Sequence, residues 1–475
     1  MTLDVFERAL RHPRALAVVT DQRELDYAEL AERCRLRAAA FFERGLLERA
    51  RPLGLLVRPT LASLEALLAC LAYGVPVLVV AARTPPSEQQ ALARRAQVSA
   101  LLDPETDCVE SAGSAPPLPT ALEPQRALAI VPSSGSTGVP KLVELSRGAF
   151  LASAESSSEN LPLAPGDRWL MCLSPAHVGG LSIVTRSLIA GSAVVLFDGG
   201  SAGLLARVAE LGAALGQSRA NLVSLVPALL SRLLELDPPW TPGPELRAVL
   251  LGGAATPLSL LERARARGVP VLTTYGLTEA CSQVATTPHG EEPAIRANLV
   301  SAGRALAGQE LRIGPGDRLC VRGPTLATRL LGQELSLTSD GFLETDDLGY
   351  LDAHGNLFIH GRASERLVSG GENVDPLQVE AALLSDPTVH GACVFGVPDP
   401  DFGELVACAL VVAPDFDAAR TEASLRSQLS SAARPRLVAT IASLPLSPNG
   451  KLDRVRARAQ ATPALTSWNA LSRRS

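Results

Sequence analysis

The chain reads as an α/β protein: a large N-terminal α/β body with largely parallel sheets, a β-rich subdomain, and a small mobile α+β C-terminal domain. Three observations predict this. Short apolar runs alternate with amphipathic helical patterns through most of the 475 residues, the rhythm of strands joined by helical crossovers. From about Leu311 the texture changes to β-rich pieces separated by Gly/Asp turns. After Gly361-Arg362 it becomes a small α+β rhythm. The length exceeds one ordinary core, so two or three domains are expected. The texture places a boundary near Ala363-Ser364, giving 1–362 and 363–475, the latter of ordinary domain size.

The elements follow in order. The longest apolar stretch, 61–82, is interrupted by Glu65, Gly74 and Pro76. It predicts a helix and then a buried strand at 75–80, because a membrane span needs about 20 uninterrupted apolar residues. The Pro/Ala-rich stretch 111–124 predicts a surface loop. Apolar runs at 127–131, 193–197, 222–226, 248–251 and 271–274 predict strands, and the patterns at 204–215 and 258–267 predict helices. Strands at 318–321, 349–351 and 357–359 follow, the last two around the turn Asp352-Ala353-His354-Gly355-Asn356. The C-terminal region predicts a helix at 376–384, strands at 391–397 and 406–412, and a helix at 420–429.

Composition excludes several classes. Hydrophobic content of 47% with 20% charge is globular. The net charge of −5, with basic residues dispersed, argues against a nucleic-acid partner. The first seventeen residues carry Asp4, Glu7, Arg8, Arg11 and Arg14 and lack the apolar core of a signal peptide. Eight cysteines lie singly, and neither they nor the six histidines have metal-ligand spacing. Reduced thiols in the cytoplasm are the expectation.

Only two of the 44 basic residues are lysine, Lys141 and Lys451. Lysine is retained where a compact, mobile ammonium cannot be replaced by a planar guanidinium. Lys141 closes Ser133-Ser134-Gly135-Ser136-Thr137-Gly138-Val139-Pro140-Lys141, between a strand and a helical pattern. Gly135 and Gly138 let backbone N–H groups converge on an anion, and the hydroxyls of Ser133, Ser134, Ser136 and Thr137 add donors. It is not a Walker A loop, which needs Gly before and Ser/Thr after the lysine. Lys451 lies in Pro448-Asn449-Gly450-Lys451-Leu452-Asp453-Arg454.

Three further loops carry chemistry. Thr274-Tyr275-Gly276-Leu277-Thr278-Glu279 follows an apolar strand. Glu279 suits a Mg²⁺ ligand beside phosphate, or is the first-turn acid of a following helix. Thr345-Asp346-Asp347-Leu348-Gly349 and Gly361-Arg362 bracket a short hairpin. Asp347 could accept both hydroxyls of a ribose, or both acids are plain turn residues. Ser369-Gly370-Gly371-Glu372-Asn373 is a flexible loop open to close approach by a ligand, or a sharp turn.

Together these five loops, in order and spacing over nearly the whole chain, resemble the acyl-adenylate-forming superfamily. The resemblance implies that the Gly-rich loop with Lys141 holds the β/γ-phosphates of ATP, Thr278 contacts the α-phosphate and Glu279 binds Mg²⁺. It implies that Asp347 and Arg362 hold the ribose, and that Gly252, Gly253 and Ala254 line the adenine and acyl site with Tyr275 and Gly276. Ser364 falls at the hinge. Lys451 contacts carboxylate and α-phosphate during adenylation. After the C-terminal domain rotates, Ser369, Gly370 and Gly371 line a tunnel for the thiol of coenzyme A.

Pro175-Ala176-His177-Val178-Gly179-Gly180 corresponds to the family's acyl-pocket gate, which adds His177 to the catalytic set. No Asp stands nearby to pair with an α-amino group, which disfavours an amino acid. Arg186 either pairs with a second substrate carboxylate or lies exposed on its helix. The chain is similar to the o-succinylbenzoate–CoA ligase subfamily in its compact length, Leu250-Leu251-Gly252-Gly253-Ala254-Ala255, Ser364, and Ser369 to Asn373. It departs from the superfamily pattern at Asp317, Arg329-Leu330, Asp346 and Glu365. The expected partners are a small carboxylic acid, ATP and coenzyme A, without nucleic acid or membrane span. The oligomeric state is open, a homodimer being one option. Rival readings are another aryl or medium-chain acid, transfer to a carrier-protein thiol, or an inactive binding module.

Overall fold

A computed structural model describes residues 2–107, 113–133, 140–200, 203–446 and 452–472. The N-terminal body is built on two large sheets. In the nine-stranded sheet the order is Arg304–Ala305, Ser282–Thr286, Val271–Leu277, Ala248–Leu251, Leu222–Leu225, Arg168–Met171, Ala193–Leu196, Leu16–Val19, Glu24–Asp26. The run from Val271–Leu277 to Leu16–Val19 is parallel throughout, and antiparallel strands close both edges. Its inner strands are almost wholly buried, as in a sheet covered by helices on both faces. In the six-stranded sheet, Leu101–Leu102, Leu53–Val57, Val77–Ala81 and Ala127–Ser133 are parallel neighbours, and Lys141–Ser146 and Arg329–Leu330 add antiparallel edges.

The stretch 61–82 forms helix Leu61–Tyr73 and strand Val77–Ala81. Thr60 caps the helix start, and Gly74 ends it in a left-handed turn (φ 69°). Its buried Glu65 is held by Arg33 and, at 2.9 Å, by Arg37, both on helix Tyr27–Glu43. Among the described residues no helix is long and apolar enough to cross a membrane.

Some elements of the N-terminal body differ from the sequence reading. The helix expected at 204–215 splits into a 3-10 turn, Leu204–Arg207, and helix Val208–Gln217. At the junction Arg207 leaves helical geometry (ψ 29°), and its guanidinium donates to Asp198 O at 2.7 Å. The strand expected at 271–274 runs on to Leu277, because Ser282–Thr286 pairs with it in antiparallel fashion from Thr274 onward.

The β-rich subdomain is a four-stranded sheet, Glu310–Ile313, Arg318–Arg322, Leu343–Leu351, Leu357–Arg362, antiparallel throughout. The C-terminal sheet pairs Val389–Asp399 with Gly403–Val412, which also meets Leu437–Thr440 and Leu367–Ser369. Helices Pro376–Leu383 and Ala418–Gln428 cover one face and Arg454–Ala461 the other. The stretch read as a flexible loop or a sharp turn is the latter, a tight hairpin: Leu367–Ser369 pairs with Glu372–Val374 across Gly370 (φ 59°) and Gly371 (φ 82°). Two adjacent left-handed residues are what a two-residue turn between twisted strands requires.

Candidate active site

The site forms where parallel strands Ala248–Leu251 and Val271–Leu277 end side by side. Leu251 pairs with Thr273, so the following segments leave the sheet at the same carboxyl edge, the usual ligand position in such sheets. Gly252 donates its N–H to Leu225 O at 3.1 Å. A Cβ on it would lie 2.7 Å from Thr274 Cγ2. Gly253 is left-handed (φ 80°), and Ala254 is exposed. Tyr275 and Gly276 lie within the strand, and Thr278 and Glu279 in the 3-10 turn Thr278–Ala280. Glu279 therefore opens no longer helix. A Cβ on Gly276 would overlap the Ser282 carbonyl. That close approach lets the chain fold back at Cys281 (φ 51°) and Ser282 (φ 90°).

A cation and a carboxylate meet here. Lys141 begins strand Lys141–Ser146, opposite Ser133 in the hairpin. Its Nζ is 3.9 Å from Glu279 Oε1. The buried Ser133 Oγ has no hydrogen-bond partner among the described residues. Ser134, Gly135, Ser136, Thr137 and Gly138 lie outside the described residues, as does Lys451. No cluster of three His, Cys, Asp or Glu suited to a metal exists among the described residues. A lone carboxylate beside a lysine fits Mg²⁺ that arrives with phosphate oxygens and water rather than in an all-protein cage.

The β-rich subdomain supplies a second cluster. Asp347 stands opposite Arg362 in the hairpin. Arg362 Nε donates to Asp347 Oδ1 at 2.8 Å, and Tyr275 Oη donates to Oδ2 at 2.6 Å. Burial and the Asp347 charge push the Tyr275 hydroxyl pKa well up, so it stays a donor. Burial opposes the Arg362 charge, but Asp347 and Glu365 outweigh it and raise its pKa. Neither acid is a turn residue. Asp346, on the opposite strand face, accepts from the Ser364 N–H at 3.2 Å and from the Ser364 hydroxyl.

In the segment expected to gate the acyl pocket, half-buried His177 stands at the N-cap of helix Val178–Ala190. Arg186, on the same helix, is not exposed: its relative exposure is 3%. Its Nη2 donates to Ser153 Oγ at 3.2 Å, and its guanidinium lies 6.0 Å from the Trp169 ring centroid. Nε has no partner, and no carboxylate salt-bridges Arg186, among the described residues. Burial lowers its pKa to about 10, which leaves it charged at neutral pH.

A polar seam that the motifs did not reveal joins Arg186 to the turn that carries Thr278 and Glu279. Ser153 Oγ donates to Cys281 O at 2.8 Å. Ser157 donates to Gln283 Oε1 at 3.1 Å, and Gln283 Nε2 donates to Thr274 Oγ1 at 3.2 Å. The signal was present: Ser153, Ser156 and Ser157 are spaced for one face of helix Arg147–Asn160, and all are buried. The structure thus pairs Lys141 with Glu279, and gathers Tyr275 and Arg362 on Asp347. The buried Ser369 and the Gly370-Gly371 tip belong to the C-terminal sheet, where Gly370 N–H donates to Phe402 O at 2.9 Å. No hydrogen bond or ion pair among the described residues joins that tip to Thr278, Glu279 or Asp347.

Comparisons with known proteins bear on the family and the fold. Residues 5–330 match the AMP-binding enzyme family, and 378–451 match the AMP-binding enzyme C-terminal domain. The chain is 31% identical over 478 residues to a 2-succinylbenzoate–CoA ligase of Bacillus licheniformis, covering 94% of this chain and 97% of that protein. It superposes on the o-succinylbenzoate CoA synthetase of Bacillus subtilis in complex with the acyl-adenylate intermediate OSB-AMP with a TM-score of 0.83 at 26% identity, covering 95% of this chain and 97% of that one. On a double mutant of that synthetase bound with its product analogue OSB-NCoA the TM-score is 0.69, at 26% identity and 98% coverage of both chains. The chain is a member of the AMP-binding enzyme family.

Proposed function

We propose that the chain is an ATP-dependent ligase that joins 2-succinylbenzoate to coenzyme A through an acyl-AMP intermediate. The observation that carries the substrate assignment is Arg186, a buried guanidinium with no carboxylate salt bridge among the described residues. Burying a charge without a counterion is costly. A substrate bearing two carboxylates supplies one for Arg186 and one for the reaction. The family and its relatives support the rest.

The reaction has two halves. A carboxylate oxygen of the acid attacks the α-phosphorus of ATP, the bond to the β-phosphate breaks, and acyl-AMP and pyrophosphate form. Lys141 attracts the polyphosphate, and Thr278 donates its hydroxyl to the α-phosphate. Asp347, oriented by Tyr275 and Arg362, accepts the ribose hydroxyls through its remaining lone pairs. Mg²⁺, bound through Glu279, would screen the phosphate charge. Lys451 offsets the charge that grows at the reacting phosphate. The thiolate of coenzyme A then attacks the acyl carbon, and AMP leaves with the ester oxygen. The domain boundary near Ser364 is part of this proposal: the C-terminal domain turns there, withdrawing Lys451 and bringing the Ser369–Gly371 tip to the thiol tunnel. Water is excluded in each state. His177 gates the acyl pocket, with Gly252, Gly253 and Ala254 as its floor. The cytoplasm is the proposed compartment, supported by the buried, unbridged cysteines among the described residues and by the need for ATP and coenzyme A.

The test is ATP-dependent pyrophosphate release by purified protein across o-succinylbenzoate, benzoate, anthranilate and octanoate, with the thioester identified by mass. Strong preference for o-succinylbenzoate supports the assignment. Turnover of another acid keeps the ligase chemistry and discards this substrate.

A further inference from the structure

The hinge region holds a buried contact that neither half-reaction uses. His360, two residues before the end of strand Leu357–Arg362, is 6% exposed, and Asp375, before helix Pro376–Leu383, is 9% exposed. They lie on opposite sides of Ser364 in the chain. His360 Nδ1 is 3.0 Å from Asp375 Oδ2. Arg366 donates to the same carboxylate, Nε to Oδ1 at 2.6 Å and Nη2 to Oδ2 at 3.1 Å. The carboxylate so held is ionised and only accepts, so the imidazole proton is on Nδ1. Gly361 makes the approach possible: a Cβ there would lie 3.1 Å from Asp375 Cβ. The other described hydrogen bonds between 1–362 and 363–475, Ser364 with Asp346 and Asn298 with Gln428, are exposed.

We propose that His360 and Asp375 form a latch that holds the two domains in the arrangement seen here, and that Arg366 accompanies the Asp375 carboxylate when the C-terminal domain turns. The inference rests on the two-step reading above. In a rotation about Ser364, Arg366 and Asp375 travel together and His360 stays with the body. The carboxylate keeps a bidentate partner throughout, so opening never strands a bare charge, and the latch is reversible. The structure matches the acyl-adenylate-bound synthetase better than the product-analogue-bound one, with TM-scores of 0.83 and 0.69. The latch therefore favours the adenylating arrangement, and His360 is a positioning residue for the first half-reaction.

The test uses the full chain with His360→Ala and His360→Asn. His360→Ala should slow pyrophosphate release about tenfold, the worth of one buried charge-assisted hydrogen bond. Capture of preformed acyl-AMP by coenzyme A should stay at or above the wild-type rate. His360→Asn, whose amide nitrogen replaces Nδ1, should recover most of the first rate. Small-angle X-ray scattering, which needs no turnover, should show His360→Ala departing from the wild-type domain arrangement. Equal slowing of both half-reactions, failure of His360→Asn to recover, or scattering identical to wild type would overturn the latch. Absence of pyrophosphate release from the wild type with every acid would instead defeat the ligase reading, and scattering would still decide the latch.

Discussion

Arg186 shows what a single side chain reveals once its surroundings are known. From the sequence it was equally a surface arginine or a substrate contact. Burial removes the first option. The residue carries a desolvation penalty that a bound anion would relieve, which yields paired expectations. Arg186→Ala should raise KM for a dicarboxylic aryl acid roughly 10- to 100-fold, as for a lost charge-assisted hydrogen bond, and leave KM for benzoate nearly unchanged. Arg186→Met should melt no lower than wild type, because it removes a buried charge with no salt bridge. Depression of its pKa only to about 10 leaves the guanidinium protonated near neutrality. The wild-type KM for the dicarboxylic acid should accordingly stay flat between about pH 6 and 9. Asp347 is the complementary case. Its two oxygens already bind Tyr275 and Arg362, so Asp347→Asn removes the charge that orients both. Steady-state kinetics should show KM for ATP rising roughly 10- to 100-fold, with KM for the acid little changed.

At the scale of elements, the turn that carries Thr278 and Glu279 depends on one missing side chain. Gly276 lies against the Ser282 carbonyl where the antiparallel strands change register. Gly276→Ala must push these strands apart and should cost at least about 1–3 kcal/mol in urea unfolding, the usual scale of overpacking. Activity should fall further than stability, because the turn moves with the strand. The motif was legible in the sequence, but its secondary structure was not. The apolar run ends near Thr274, and the strand continues to Leu277 on antiparallel hydrogen bonds that periodicity does not report. The same holds at Gly370-Gly371. The glycine pair marks an adaptable backbone, and pairing of Leu367–Ser369 with Glu372–Val374 turns it into a defined hairpin.

At the scale of the molecule, the proposed cycle makes one active site serve two reactions, so a residue used in one state should be dispensable in the other. Lys451→Arg should slow adenylation about 10²–10³-fold, the loss expected of a preorganised transition-state contact. Thioesterification of preformed acyl-AMP should be much less affected. Rapid-quench measurement of each half-reaction separates the two, and equal loss in both would defeat the alternating arrangement.

The sequence by itself determined the α/β class, the passage from parallel sheets to a β-rich piece and a small C-terminal domain, and the loops from which the nucleotide site is proposed. These are local properties. Apolar runs of strand length, helical periodicity, and glycines beside Lys141, Glu279 and Asp347 are written in contiguous residues. The tertiary structure alone decided that Arg186 is buried without a salt bridge among the described residues, that Ser153 links Arg186 to the turn at Cys281 while Gln283 reaches Thr274, and that His360 meets Asp375 across Ser364. Each depends on residues far apart in the chain packing where water is excluded. The strength of a charge or hydrogen bond there is set by neighbours that no local pattern names.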